Sequence, residues 1–170
     1  MGLFDFLSPL TPTTAAERIR DSSTRLDIST QEQRIAAQLG IAIHILVKER
    51  ILFRIAFSEA SVAHVYNLGP DPSIRQMGEH LEKLNSTYIF GMPNVPREVA
   101  SELYSRARSD YFMRQPSELA GCMLTSIYFG EYRDVSAEAL LNFSALVHSY
   151  AKTTLLEAIE HAKKLTAWQR

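Results

Sequence analysis

The stretch IAAQLGIAIHILVKERILFRIAF, residues 35–57, decides the fold class. Residues 35–47 carry no charge, and Leu39, Ile41, Ala42, Ile43, Ile45, Leu46 and Val47 would surround a helical axis with scarcely a polar face. A helix that is apolar all round packs on several sides at once. The sequence therefore predicts a central helix, and helical spacing extends it from about 30 to 66. Ser29 and Glu32 stand at capping-box spacing at its start, and Leu68-Gly69-Pro70 ends it with a stop glycine and a following proline.

Outward from this helix, proline placement maps the rest. The prolines at 9, 12, 70, 72, 93, 96 and 116 all avoid the long periodic stretches, as they must if those stretches are helices, where an interior proline costs about 3 kcal/mol. Thr14 and Glu17 have capping-box spacing for a short helix to about Asp21. Asp71 before Pro72 opens a helix to about Tyr88, and GMPNVP (91–96) is a loop. Pro96 opens a helix carrying Val99, Leu103 and Ala107, which stops near Arg114 because Gln115 precedes Pro116. A shorter helix runs from about Ser117 to Phe129 and ends at Gly130. Asp134 or Ser136 starts the last long helix, about 136–168, with Leu140, Val147, Ala151, Leu155, Ala158, Ala162 and Leu165 as one apolar stripe. No alternating run is long enough for a strand. The expected fold is all-α: a single-domain helical bundle of five to six helices over 13–170, preceded by a short apolar N-terminal segment, 1–12.

Composition narrows the class further. A chain of 170 residues that is 46% apolar and 22% charged is ordinary for a soluble globular protein. A net charge of −1 excludes a surface that attracts nucleic acid or anionic lipid as a whole. Cys122 is the only cysteine, so no intrachain disulfide or four-thiolate metal site can form, which suits a cytoplasmic location. The opening MGLFDFL has no basic region for a secretory signal, and Phe6 stands where myristoylation would need Ser or Thr. The uncharged apolar stretches 35–47, 119–130 and 139–151 fall short of the ~20 residues that cross a bilayer.

Signatures of catalysis are missing. No glutamate has a histidine three residues later, so the Glu-x-x-His pattern of carboxylate di-metal bundles is absent, as are HExxH zinc and G-x-S-x-G nucleophile patterns. The glycines are dispersed and cradle no phosphate. Cys122, in LAGCMLTS, reads as a small hydrophobe with an unreactive thiol. No metal and no cofactor is expected.

Two features invite a functional reading. On the helix opened by Pro96, residues Arg97, Tyr104, Arg108 and Tyr111 fall on one narrow stripe beside the apolar face. Arg and Tyr are enriched in binding hot spots, and Glu98, Glu102 and Asp110 on the same helix weaken a nucleic-acid reading. Many of the chain's Phe and Tyr residues, from Tyr88 to Tyr132, gather in the same middle segment. The second feature is His44, a lone polar group in the run 40–47, placed to ligate haem or face a small apolar ligand in the bundle core. The apolar N-terminal residues Leu3, Phe4, Phe6 and Leu7 could seal the bundle or meet a partner. The expected function is a non-enzymatic protein–protein interaction module, such as an adaptor, assembly factor or inhibitor, with self-association left open. The alternatives are a sensor or carrier with its ligand near His44, then an enzyme whose site assembles from distant residues.

Overall fold

The computed structural model describes residues 10–112, 114–128 and 134–167. Its regular structure is entirely helical: α1 (Pro12–Ser23), α2 (Thr30–Gln38), α3 (Ile43–Leu68), α4 (Pro72–Phe90), α5 (Arg97–Tyr111), α6 (Pro116–Ile127) and α7 (Ala137–Ala167). The all-α expectation holds, with seven helices among the described residues instead of five to six. Expectations placed on residues 1–9 (Leu3, Phe4, Phe6 and Leu7 among them), on Phe129, Gly130, Tyr132 and Arg133, and on Trp168 lie outside the described residues.

The extra helix comes from a break in the predicted 30–66 element. Gly40 takes φ +64°, a left-handed conformation that closes α2: its N–H bonds Ala37 O at 3.1 Å, and the Ile41 N–H bonds Ala36 O at 3.0 Å. This paired pattern is a Schellman stop. The chain then turns through Ile41 and Ala42 before α3 begins at Ile43. A Cβ at Gly40 would meet nothing within 4 Å, so substitution there tests the backbone alone. Gly40→Ala is expected to cost about 1–2 kcal/mol, the left-handed penalty of an L-residue. Urea unfolding measures it, and an unchanged midpoint at unchanged slope would contradict the assignment.

Side-chain caps open α1, α2 and α4. Ser29 and Glu32 form the expected box, with the Glu32 N–H bonded to Ser29 Oγ at 3.2 Å and the Ser29 N–H to Glu32 Oε2 at 2.7 Å. Asp71 caps α4 by accepting from the Ser73 N–H at 2.8 Å. α1 is capped by Thr11, not Thr14: Thr11 Oγ1 accepts from the Thr14 N–H at 3.1 Å, because Pro12 is a ready first-turn residue. In α7 the buried stripe enters at Ala139 and Phe143, leaving Leu140 exposed.

α3 touches all six other helices. Two apolar clusters lie along it. The first joins Leu46, Leu52, Phe53 and Ile55 to Tyr111, Leu119, Met123 and Phe143. The second joins Val62 to α1 (Ala15, Ile19), α4 (Ile74, Met77, Leu81) and the end of α7. Buried Ser58, Glu59 and Ser61 on α3, and Thr154 on α7, fall between the two clusters. A polar belt therefore divides the interior.

Candidate functional site

α3 is rich in buried apolar residues, and it also carries charge into the core. Glu49, Arg50 and Glu59 are buried, and each is answered by a different neighbour. Arg50 Nη1 donates to Glu32 Oε1 of α2 at 2.6 Å and to Asp27 O at 2.8 Å, while Nη2 donates to Arg25 O. Tyr150 of α7 donates to the same Glu32 Oε1 at 2.7 Å. Burial pushes the Glu32 carboxyl up, but hydrogen bonds from the Ser29 N–H, the Tyr150 hydroxyl and the Ser29 hydroxyl, with the Arg50 charge, outweigh it and hold the group below its ordinary value. Glu49 accepts from the Tyr111 hydroxyl of α5 and from Arg106 Nη2 at 3.0 Å. Arg54 reaches Glu157 Oε2 of α7 at 3.2 Å and Ser22 Oγ of α1 at 3.0 Å. A buried charge is tolerated when its hydrogen-bonding capacity is met, and these pairs tie α3 to α1, α2, α5 and α7.

The predicted Arg/Tyr stripe is split by this scheme. Tyr111 is fully buried, its ring edge-on to Phe53 at 5.0 Å. Its ring therefore belongs to the core and is not offered to a partner. Burial and the neighbouring Glu49 carboxylate push its hydroxyl far above the ordinary tyrosine value. Tyr104 is half-buried and donates to Glu59 Oε1 at 2.8 Å; burial, then Glu59, raises its hydroxyl likewise. Arg108 lies against Glu82 Oε1 at 2.6 Å and over the Tyr104 and Phe112 rings at 5.7 and 5.4 Å. Arg97 is exposed, 6.0 Å from the Phe90 ring centroid. The structure thus brings Tyr104 and Arg108 together at Glu59 and leaves Arg97 and Tyr111 apart from them.

His44 is exposed, not enclosed in the core. Because α3 starts at Ile43, it stands in the first turn, where no preceding helical turn covers it. His44 and Lys48 form a ridge between two grooves. One groove, of about 370 Å³, is walled by Leu26, Ile28, Ile43, Val47, Ile51 and Met92. The other, of about 480 Å³, runs between α3 and α5 past Glu49, Glu102 and Arg106. Leu26 is 68% exposed and Ile28 42%, although both are large and apolar. Single exposed apolar residues are normal; here two stand together on the rim of one apolar groove. Cys122 is half-buried against the first apolar cluster.

No family model, no curated protein and no solved structure matches the chain. Among the described residues, no group of three or more His, Cys, Asp or Glu side chains is placed to hold a metal ion, and no helix is long and apolar enough to cross a membrane. Leu26 and Ile28, in the linker before α2, and the buried charges of α3 escaped the sequence reading. For the charges a signal was present: Glu49, Arg50, Arg54 and Glu59 interrupt a helix with no polar face to receive them.

Proposed function

We propose that the chain is a non-enzymatic protein-interaction module whose contact surface is the apolar groove beside His44. The carrying observation is the pair Leu26 and Ile28, exposed on the rim of that groove. Its ionisable lining groups, His44 and Lys48, are basic or neutral, and no carboxylate lines it. Charge complementarity therefore selects an amphipathic helix of a partner protein, with apolar anchors at helical spacing and acidic residues beside them. At roughly 30 Å³ per water-sized group, the groove takes about twelve such groups, or two to three aliphatic side chains. On α5, Arg97 and Arg108 remain as outlying contacts from the stripe read in the sequence. The reach of α3 to every other helix supports reading 13–170 as one helical-bundle domain, and the lone cysteine suits the cytoplasm.

Selection of displayed helical peptides on the purified protein tests this. The expected winners carry apolar residues at i, i+3 or i+4, and i+7 with flanking Asp or Glu, and Leu26→Asp with Ile28→Asp weakens them by about 100-fold or more. Winners without acidic residues, or unaffected by the double substitution, would overturn the reading. A second copy of the chain in the groove would instead appear as concentration-dependent dimerisation that the double substitution abolishes. The second reading, a small apolar ligand beside His44, is favoured by the groove's apolar walls and its volume, which lies within the ~300–1,000 Å³ usual for ligand pockets. Native mass spectrometry of the protein from its own host separates the two, as a bound polypeptide or a small added mass.

A further inference from the structure

α7 turns one long side to solvent. At about 100° per residue, Leu141, His148, Lys152, Leu156, Ile159 and Lys163 fall within a sector about 100° wide. From Leu141 to Lys163 that sector runs about 33 Å and holds no carboxylate. Glu157 lies away from it, accepting from Ser22 and Arg54, and Glu160 is held by Lys164. Leu141 is 73% exposed and Leu156 53%, and Leu155 and Ile159 are half-buried beside Leu156. His148, Lys152 and Lys163 are exposed, and among the described residues neither lysine forms an ion pair.

A chain of net charge −1 thus keeps one helix side whose charged groups are all basic and whose exposed bulk is aliphatic. Charge complementarity selects an anionic occupant. Shape selects its kind. This side lines neither of the two grooves beside His44 and presents a ridge along a single helix. A ridge cannot wrap a partner's side chain, but a surface that deforms around it covers all of its leucines at once. A bilayer does so: aliphatic side chains enter the acyl boundary, while lysine stems lie along the apolar surface and carry their ammonium groups to the headgroups. We propose that this side of α7 rests on an anionic lipid surface, with Leu141 and Leu156 dipping to the acyl chains and Lys152 and Lys163 against the headgroup phosphates. It shares no residue with the groove at Leu26.

Flotation of the full chain with vesicles tests the proposal. The protein is expected to float with vesicles of phosphatidylcholine and phosphatidylserine, not with phosphatidylcholine alone, and added salt should release it. Lys152→Gln with Lys163→Gln should weaken binding roughly 25-fold. Leu141→Ser with Leu156→Ser should weaken it about tenfold or more. All four side chains are exposed, so these variants keep the fold, which circular dichroism checks. Arg34→Gln with Lys83→Gln removes the same charge from exposed positions of α2 and α4 and should leave binding within about twofold. No flotation with the mixed vesicles, equal flotation with phosphatidylcholine alone, or an equal loss from the two charge-neutralised pairs would overturn the proposal. So would an acidic helical peptide that binds the α7 face of a protein no vesicle retains.

Discussion

Arg50→Ala is expected to lose about 3–5 kcal/mol of folding stability, because it strands a buried carboxylate. In a protein of this size that corresponds to a melting temperature lower by roughly 6–20 °C. The guanidinium ties α3 to Glu32 of α2 and to the carbonyls of Arg25 and Asp27, and Tyr150 of α7 shares the same carboxylate oxygen. Arg50→Lys should recover only part of the loss, since an ammonium lacks the planar fork that serves several acceptors. The exposed pair Arg75–Glu79 is the control: Arg75→Ala should change stability by under about 1 kcal/mol. Equal effects at Arg50 and Arg75 would contradict the assignment.

The pH dependence follows from the same cluster. Glu32 is held below its ordinary value of 4.5, so its charged form stabilises the folded state. That contribution is present above about pH 4.5 and is lost as the pH falls through the lowered folded value. Arg50→Ala removes one of the causes that lower the value. The difference in stability between wild type and variant should therefore shrink on acidification.

Phe53→Ala carries the second large effect, about 3–5 kcal/mol, as expected for a buried aromatic side chain in a packed core. Phe53 is fully buried, stacked on Phe57 at 5.3 Å and edge-on to Tyr111 at 5.0 Å, with the Tyr150 ring at 6.4 Å. Tyr111 and Tyr150 hold Glu49 and Glu32 respectively, so one ring supports the geometry of two buried carboxylates. Double-mutant cycles with Tyr111→Phe, which keeps the ring and removes the hydroxyl bonded to Glu49, should show coupling above about 0.5 kcal/mol, because the Phe53 ring packs against the ring that positions that hydroxyl. Leu141→Ala, at an exposed position of α7, should stay within about 0.5 kcal/mol. Additive effects of Phe53 and Tyr111 would show that the aromatic contact and the ionic contact stabilise the fold independently.

Local chemistry was legible in the sequence, and partnership was not. Ser29 with Glu32, Asp71 with Pro72, and Leu68-Gly69 each act within a few residues, and each marks the boundary that its spacing indicates. Gly40 was equally local, but apolar residues on both sides concealed a stop that its left-handed φ makes plain. A helical wheel put Tyr111 beside Arg108 without showing which sides of α5 the other helices cover. The partners of α3's charges are remote in sequence: Glu32 for Arg50, Tyr104 for Glu59, Tyr111 for Glu49 and Glu157 for Arg54. The apolar neighbours of His44 point to an interior position, yet the first turn of a helix has one fewer layer of cover, and His44 is exposed.

Site-specific photo-crosslinking in the host cell tests the interaction reading most directly, with the reactive group at Leu26 and, as control, at the equally exposed Leu141. The account predicts one discrete polypeptide adduct from position 26, absent from 141, lost with Ile28→Asp, and joined through a segment with acidic and apolar residues at helical spacing. The same adducts from both positions, or an adduct from position 26 that survives Ile28→Asp, would contradict it.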